Sequence, residues 1–524
     1  MTHFKRLVTV FLCVALLLIS CSSSHRVEGY VYFRQNANPT TLDPALIVDV
    51  PGAAIASKLF NGLVRLSDDL NIAPDIAEKW EVSKDGLLYR FFIRRGVKFY
   101  SGQEVTARDF KYSFERILAP TTKSPNTWIL DKVKGAVEFG RKQAKEVRGF
   151  RVISDYVFEI ELERPFSPFL SMLTMTAAYV VPEKEVMSRG QEFSGRPVGT
   201  GPFYLKQWLP GRDIVLQRNP DYFDVKAAVK GIVYRIIPED LTAVTEFELG
   251  NLDLLSLPAS AYDKFINDPK WRHLIVSMKG LNTYYLGFNV TKAPCSDINF
   301  RRAVSYAIDR EKIFRTFFGK RGRLAAGPVP DLLRKWPAGP MKEQASYDPA
   351  MAREILKKAG LYGVTVEMYV TADQEVVDLS EILQAFLADA GIVVKIKQLE
   401  WSAYKQAVNS GEPHMFWLSW WADYPEAENF LFPLFHSSNA GPAGNRTRYV
   451  NKELDALVEK GQRTVHEEER NGYYGRAEEI IIREAPLLSF WHKNDIMVKQ
   501  PWIKGFKVCP IYSMDKGTEI TIIK

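Results

Sequence analysis

Histidine and cysteine are the first candidates for metal or nucleophilic chemistry in this chain. The seven histidines are scattered, with no HExxH motif and no pair at the i, i+4 spacing that places two imidazoles on one helix face. The chain also has no G-x-S-x-G elbow and no G-x-x-x-x-G-K-[ST] phosphate loop. Hydrolysis by paired carboxylates stays open among the 62 Asp and Glu residues, but context marks no pair. We therefore predict that the protein is not an enzyme and holds no metal or other cofactor.

Aromatic side chains are unusually dense near the C-terminal third of the chain. Eight of them lie within residues 401–430, among them Trp401, Trp417, Trp420, Trp421, Tyr424 and Phe430. Large aromatic side chains dominate protein cores, and they also form the walls of ligand pockets. The residues alone leave both interpretations open.

The N-terminus carries a targeting signal. Lys5 and Arg6 precede an apolar run, 7–19, which is too short to span a bilayer and is typical of a signal-peptide core. The run ends in Leu18-Ile19-Ser20-Cys21, which resembles a bacterial lipobox, and a Ser-rich tether follows. We expect residues 1–20 to be removed and Cys21 to be lipidated. The alternative is an ordinary thiol at Cys21 after a secretory signal.

Only Cys295 and Cys509 then remain as possible thiols in the mature chain. An oxidising compartment would allow them to pair. They lie far apart in the sequence, and nothing local tests their geometry. Both the bridged and the free state stay open.

Secondary-structure signals alternate between short strands and amphipathic helices. The pattern predicts strands at Tyr30–Gln35 and Leu87–Arg95, and a helix-prone segment at Ala53–Phe60. Further helices are predicted from Thr106 through Ile117, from Ser296 or Asp297 through Ile308, and from Asp348-Pro349 to Gly360. Gly199-Thr200-Gly201 lacks the third glycine of a dinucleotide site, and Pro202 predicts a turn there. The architecture is therefore predicted to be mixed α/β.

Length and composition limit the remaining classes. With 524 residues, the chain exceeds the size of one hydrophobic core, so two or more lobes are expected. Its 46% hydrophobic and 25% charged residues are typical of an ordered protein. The formal charge of +7 is spread without a Lys/Arg block, which argues against nucleic-acid binding. No stretch after the signal is long and apolar enough to be transmembrane.

A series of short motifs runs along the chain in a fixed order. The motifs are Thr41-Leu42-Asp43-Pro44, Leu59-Phe60-Asn61-Gly62-Leu63, the segment 72–80 (IAPDIAEKW), Gly96-Val97-Lys98-Phe99, the segment 105–110 (VTARDF), Gly199-Thr200-Gly201-Pro202-Phe203, Asn219-Pro220-Asp221-Tyr222-Phe223, Arg301-Arg302-Ala303 with Ala307-Ile308-Asp309-Arg310, and 352–361. In their order and spacing, these motifs resemble the family-5 solute-binding proteins of bacterial ABC importers, the oligopeptide, dipeptide and nickel group. The resemblance covers nearly the whole mature chain.

The resemblance implies a type II periplasmic-binding-protein fold of cluster C, with two lobes built from three domains that close on the ligand like a flytrap. The implied division is a signal peptide at 1–20, a lipidated tether at 21–29, and a discontinuous lobe I made of 30–62, 196–282 and 491–524. An extra domain on the lobe I side would occupy 63–195, and lobe II would occupy 283–490.

The resemblance also implies the ligand site. The family's W-x-A-D-Y segment is here Trp420-Trp421-Ala422-Asp423-Tyr424, so Asp423 is expected to meet the α-ammonium of a bound peptide. The alternative for Asp423 is a helix-start residue ahead of Pro425. Aromatic walls are expected from Trp401, Trp417, Trp420, Trp421 and, at the entry to lobe II, Tyr285. From the other lobe, Val50 would offer backbone pairing and Trp128 a pocket wall.

One departure from the family concerns the ligand carboxylate. Family members commonly meet it with a basic residue three positions before the first Trp of W-x-A-D-Y and with a loop histidine. Trp417 and Glu375 stand in these places. A short or modified peptide, such as a glutathione-like tripeptide, is therefore expected to fit as well as a long peptide, and nickel chelate and haem are the other ligand classes.

These features together predict an extracytoplasmic, lipid-anchored, monomeric peptide-binding component of an ABC importer. It would lie on the periplasmic side or cell surface of a bacterial membrane, and its partners would be the permease and ATPase subunits. A peptide-sensing receptor without transport and a lipid-anchored hydrolase are the competing functions.

Overall fold

The computed structural model describes residues 26–337 and 346–523. The predicted signal peptide and Cys21 lie outside the described residues, so neither is addressed by the structure. The fold is mixed α/β, as predicted.

Strands run through the whole described part of the chain. Their bounds are β1 Tyr30–Gln35, β2 Val64–Leu66, β3 Ile72–Pro74, β4 Ala77–Val82, β5 Leu88–Ile93, β6 Phe150–Ser154, β7 Val157–Glu161, β8 Phe203–Leu209, β9 Asp213–Arg218, β10 Gly231–Ile236, β11 Leu254–Ser256, β12 Ile275–Lys279, β13 Asn282–Phe288, β14 Gly322–Leu324, β15 Thr365–Thr371, β16 Val393–Leu399, β17 Met415–Trp421, β18 Leu487–Lys499, β19 Ile503–Lys504 and β20 Thr521–Ile522. The predicted entry strand, Tyr30–Gln35, is confirmed residue for residue.

The helices alternate with these strands. Their bounds are α1 Val50–Leu59, α2 Ala107–Leu118, α3 Ala136–Gly140, α4 Phe169–Met172, α5 Glu183–Arg189, α6 Asp240–Glu248, α7 Ala259–Asn267, α8 Ile298–Ala307, α9 Arg310–Ile313, α10 Pro349–Lys358, α11 Gln374–Asp389, α12 Trp401–Ser410, α13 Glu428–Phe435, α14 Lys452–Arg463 and α15 Glu467–Glu484.

Aspartate caps explain where several helices begin. The side chains of Asp297 and Asp348 accept backbone N–H groups at the starts of α8 and α10, as predicted. Helix α1 begins three residues before the predicted Ala53, because the Asp49 carboxylate accepts the Gly52 N–H and Pro51 stands in the first turn. Local capping chemistry therefore sets these boundaries.

One extended sheet connects both halves of the molecule. Its order is β16-β15-β17-β13-β18-β11-β1-β10-β9-β8, and β12 and β14 also pair with β18. We call the half with β13 to β17 and α8 to α15 lobe II, and the half with β1 and β8 to β12 lobe I. A separate antiparallel sheet, β4-β5-β7-β6, lies within 63–195, the segment that we call the extra domain.

The long strand β18 passes from lobe II to lobe I. Its first residues, from Leu487 to Trp491, pair with β13, whereas Asn494 to Lys499 pair with β12 and β11. The chain also crosses between β12 and β13, at 280–281. These crossings lie close to the expected lobe boundaries, 282/283 and 490/491, which stay predictions.

The crossing strands are tied by one buried amide. Asn282 Nδ2 donates to the Lys493 carbonyl at 2.9 Å, and Asn282 Oδ1 accepts from the Lys493 N–H at 2.7 Å. His492 Nδ1 donates to the Asn282 carbonyl at 2.6 Å, and burial lowers the pKa of His492 to about 4. At Gly280, an added Cβ would lie 2.3 Å from the Lys493 carbonyl oxygen, so only glycine fits this approach.

Helix α2 packs on the four-stranded sheet through aromatic side chains, within a core that also includes lobe I residues. Phe110, Phe114 and Ile117, the apolar stripe predicted for α2, are all buried. The rings of Phe110 and Phe114 pack against Phe158 on β7, and Phe114 also packs against Phe150 on β6. Aromatic packing thus fixes α2 on the four-stranded sheet.

The glycines at 199 and 201 serve close packing. No helix follows them, and β8 begins at Phe203, in line with the predicted turn. An added Cβ at Gly201 would lie 2.3 Å from the Lys58 carbonyl oxygen. The segment therefore lies against the end of α1 and has no dinucleotide-type architecture.

Candidate ligand-binding site between the lobes

The edge of lobe II that faces the other domains is formed by the carboxyl ends of three parallel strands. β15 runs parallel to both β16 and β17. The segments that follow them begin at Ala372, Glu400 and Ala422. In open α/β sheets, ligands bind at the carboxyl ends of the strands. Trp401, at the start of α12, and Asp423, just after β17, therefore share one edge.

Asp423 lies at this edge without a cationic partner. Its backbone N–H donates to Asn429 Oδ1 at 2.9 Å, and Asn429 Nδ2 lies 3.4 Å from Asp423 Oδ2. Within the described ranges, no Lys, Arg or His nitrogen lies within 4.0 Å of this carboxylate. Asp423 is an exposed residue, so one side of it is open to solvent. The protein around its other sides raises the pKa of Asp423 by desolvation, which the Asn429 amide only partly offsets.

The helix-start alternative for Asp423 is wrong. Helix α13 begins at Glu428, and its N-cap residue is Ala427. Asp423 therefore lies outside the first turn and accepts no backbone N–H group of the helix. The carboxylate remains available for an external cation.

Three of the predicted aromatic residues offer accessible surface at the edge. Trp401 is 54% exposed and stacks on Tyr404, with ring centroids 6.1 Å apart. Trp421 is 39% exposed and meets Tyr284 edge to face. Trp420 is half-buried, and its Nε1 donates to the Asn429 carbonyl at 2.7 Å.

Two other predicted residues lie in cores. Trp417 is 6% exposed and packs against Phe490 and Trp491, on the opposite face of β17 from Trp420. Tyr285 is 1% exposed and packs edge to face on Phe416. In this conformation both side chains serve packing and offer no surface to a ligand.

The predicted residues outside lobe II have different surroundings. Val50 is exposed, but it is the first residue of α1 and not part of a strand. Its N–H belongs to the first helical turn, which has no intrahelical acceptors. Trp128 faces lobe II directly, with its ring centroid 6.3 Å from that of Tyr424. Trp128 and Asp423 therefore lie on opposite sides of the same boundary.

The extra domain and lobe II also touch through polar groups. Ser171 Oγ donates to Glu426 Oε1 at 2.8 Å, and the Ser167 N–H donates to the Gln462 carbonyl at 2.7 Å. Behind them, Glu428 Oε1 accepts from Gln462 Nε2 at 2.6 Å, and Glu428 Oε2 accepts from the Tyr424 hydroxyl at 2.5 Å. Burial raises the pKa of both glutamates. The sequence did not point to this contact, because its two sides are distant in the chain.

Glu375 and Trp417 stand at the two positions where a basic anchor for the ligand carboxylate was expected to be absent. Glu375 lies in the first turn of α11 and pairs with Arg321, Oε1 to Nη1 at 2.5 Å. Trp417 is in the core. The sequence analysis did not consider two cations near these aromatic residues. Lys405 lies beside Trp401, and Arg446 lies beside Tyr285. The i, i+4 spacing of Trp401 and Lys405 in the sequence could have predicted that the two side chains are neighbours on one helix face.

The structure also bears on metal binding, on the two thiols and on membrane-spanning helices. In residues 26–337 and 346–523, no three His, Cys, Asp or Glu side chains are grouped to hold a metal ion. Cys295 and Cys509 are free thiols, and Cys295 is buried with its Sγ donating to the His414 carbonyl. Among the helices of this same part of the chain, none is long and apolar enough to cross a membrane.

Comparison with known proteins identifies a family match and several similar proteins. The profile of the family "Bacterial extracellular solute-binding proteins, family 5 Middle" matches residues 71–442. Heme-binding protein A of Haemophilus influenzae is 29% identical over 92% of this chain and 90% of its own length. The periplasmic murein peptide-binding protein MppA of Escherichia coli is 27% identical over 95% of both chains.

Solved structures agree with this placement. The ABC transporter-associated periplasmic binding protein DppA of Helicobacter pylori, in complex with the peptide STSA, superposes with a TM-score of 0.79. It is 26% identical, and the match covers 94% of this chain and 98% of DppA. MppA in its unliganded open form gives the same TM-score. The predicted family and the two-lobed type II fold are confirmed: the chain belongs to the extracytoplasmic family-5 solute-binding proteins of ABC importers.

Proposed function

We propose that this protein captures short peptides between its two lobes and delivers them to the permease and ATPase subunits of an ABC importer, as a monomer anchored to a bacterial membrane through a lipid on Cys21. The family membership supports the transport role. This chain resembles MppA and DppA over nearly its whole length. MppA is named as a murein peptide-binding protein, and the DppA structure is a complex with the peptide STSA.

The observation that carries the peptide proposal is the unpaired carboxylate of Asp423. It lies at the carboxyl edge of lobe II, beside the accessible rings of Trp420 and Trp421. A carboxylate that protein desolvates, with no cation within 4.0 Å in the described residues, gains most from a cation that the ligand brings. The α-ammonium of a peptide supplies that charge.

The predicted domain division fits a closing motion. Two crossings connect the lobes, one at 280–281 and one along β18. Small changes of backbone angles at two such crossings would let the lobes rotate as bodies. We propose that ligand closes the protein because it contacts Asp423 on one side and the Trp128 region on the other.

A binding experiment tests the proposal. Isothermal calorimetry with a panel of di-, tri- and tetrapeptides should find binders, and the small molecule released from purified protein by denaturation should be a peptide by mass spectrometry. For the tightest binder, the N-acetylated form should bind far more weakly, since it has no ammonium. Equal affinity for both forms would contradict the role of Asp423, and a panel without binders would contradict the peptide function.

Haem is the second candidate ligand, because Heme-binding protein A is among the similar proteins. The accessible rings of Trp401 and Trp421 would suit a flat apolar ligand. Titration with haem, followed by its Soret absorbance, distinguishes the two. Saturable haem binding in competition with the peptide would favour a shared site.

A further inference from the structure

Lys405 is a partly buried cation without a polar partner. It lies one turn after Trp401 on α12, and its Nζ is 5.4 Å from the centroid of the Trp401 ring. Across the residues that the structure describes, its ammonium donates no hydrogen bond and has no carboxylate within 4.0 Å. Glu400, the acid at the start of the same helix, accepts the Ser402 N–H at 2.7 Å as an N-cap.

A second cation faces it. Arg446 is 8% exposed, its Nε donates to Asn409 Oδ1 at 3.0 Å, and its charge opposes the rise in the pKa of the nearby Tyr285 phenol. Its other acceptors are the backbone carbonyls of Gly444 and Pro442. All of these acceptors are neutral. No acid within 4.0 Å balances Arg446 in the described ranges either.

Lys405 and Arg446 together therefore carry a positive charge that is partly removed from water and that no nearby acid compensates in the described residues. Burial and the charge of Arg446 lower the pKa of Lys405 to about 8. The other titratable groups facing this pair are the buried phenols of Tyr285 and Tyr404. Both phenols are neutral below pH 10, because burial raises their pKa values. An incoming anion would stabilise both cations at once.

The location connects this charge to the ligand edge. Helical side chains lean toward the N-terminus of their helix, so the Lys405 ammonium is carried back toward Trp401. Trp401 is exposed at the carboxyl edge of lobe II, the edge that also carries Asp423. A ligand with its ammonium at Asp423 and its body over the Trp401 ring therefore extends toward Lys405.

We propose that Lys405, supported by Arg446, forms the subsite that receives a carboxylate of the bound ligand. The inference rests on the proposed peptide-binding function. Asp423 would bind the ammonium of the ligand, and Lys405 would bind its carboxylate. The carboxylate-binding residue would then lie at neither position 375 nor position 417. The carboxylate comes from one of two sources, the C-terminus of a peptide or an acidic side chain within it.

The test uses the purified full chain and its tightest-binding tripeptide from the panel. Three forms of that peptide are compared by calorimetry: the free acid, the C-terminal amide, and the amide with its last residue replaced by glutamate. The free acid should bind wild type about ten- to a hundredfold more tightly than the amide. Recovery of affinity by the glutamyl amide would identify a side-chain carboxylate as an accepted source.

Variants assign the effect to Lys405. Lys405→Met should reduce the ratio of acid to amide affinity to about one, and Lys405→Arg should largely restore it. Lys395→Met, at an exposed lysine on β16, is the matched control and should keep the wild-type ratio. A wild-type ratio near one, or a ratio unchanged in Lys405→Met, would overturn the inference while leaving the peptide function intact. A panel without binders would contradict both.

The pH profile gives an independent measurement on wild type alone. Because the pKa of Lys405 is lowered to about 8, the ammonium is present below that pH and is lost above it. The affinity for the free acid should therefore fall between pH 7 and about 9.5 relative to that for the amide. Parallel profiles for the two peptides would contradict the proposed subsite.

Discussion

Ser171 on α4 and Glu426 ahead of α13 are joined by a hydrogen bond of 2.8 Å between residues 255 positions apart in the chain. The contact links the extra domain to lobe II. Glu426 carries no ion pair within 4.0 Å in the described part of the chain, although Arg470 and Lys335 act on it at longer range. A carboxyl group thus lies where the two halves of the molecule meet.

This contact should make closure depend on pH. Burial raises the pKa of Glu426 above its ordinary 4.5, despite the opposing effects of the Ser171 hydrogen bond, Arg470 and Lys335. A raised pKa means that the buried position of Glu426 favours the protonated carboxyl, so the stabilisation that this position contributes is full below pH 4.5 and declines as pH rises through the raised value. The radius of gyration of unliganded protein should therefore increase from about pH 4.5 to 8 in small-angle scattering.

Glu426→Gln should reduce that increase, because glutamine keeps an acceptor for Ser171 and does not titrate. Glu428, whose pKa is raised in the same direction, accounts for the residual slope. Glu381→Gln, at an exposed position on α11, is the control. A radius that does not change with pH in wild type would contradict the prediction.

Asp423→Asn should weaken peptide binding by about 2–5 kcal/mol, because the ligand ammonium would be buried without its counter-charge. The free energy of unfolding of unliganded protein should change little, since Asp423 does not cap α13. Calorimetry and chemical denaturation measure the two quantities. Asp389→Asn, exposed at the end of α11, should leave both unchanged. Wild-type affinity in Asp423→Asn would remove Asp423 from the site.

Asn282→Ala should destabilise the crossing between the lobes. The substitution leaves the N–H and carbonyl of Lys493 without the amide that pairs with both, and an unsatisfied buried polar group costs about 1–3 kcal/mol. Chemical denaturation should show this loss relative to Asn36→Ala, which changes an exposed asparagine. A loss no larger than that of the control would mean that solvent replaces the lost bonds.

Lobe closure should be visible directly. Saturation with the reference peptide should reduce the radius of gyration, because the ligand contacts both lobes and binds the closed state more tightly. Trp128→Ala should reduce this response, since it removes the ring that faces Tyr424 across the boundary. An unchanged radius at saturation would contradict closure by ligand.

Cys21→Ala should abolish lipidation. Metabolic labelling with a fatty acid should mark wild type and not the variant, whose signal segment should stay uncleaved or whose destination should change. Cys509→Ala serves as the control, because it removes a thiol from the mature chain. Unlabelled wild-type protein would contradict the lipid anchor.

Short-range signals in the sequence determined much of the local structure and the family. Asp297 and Asp348 mark helix starts because a carboxylate satisfies N–H groups only a few residues away. The strand Tyr30–Gln35 and the buried stripe of α2 follow from periodicity within one element. The motifs from Thr41 onward identified the family, because each is a contiguous run of residues.

Only the tertiary structure decided which aromatic and charged side chains reach the boundary between the lobes. Trp417 and Trp420 lie on the same strand, yet one is in a core and the other lies at the edge, because successive positions point to opposite faces of a sheet. Whether Lys405 has an acidic partner, and whether Ser171 reaches Glu426, depends on segments distant in the chain. Such contacts are set by how the domains pack, which no local pattern encodes.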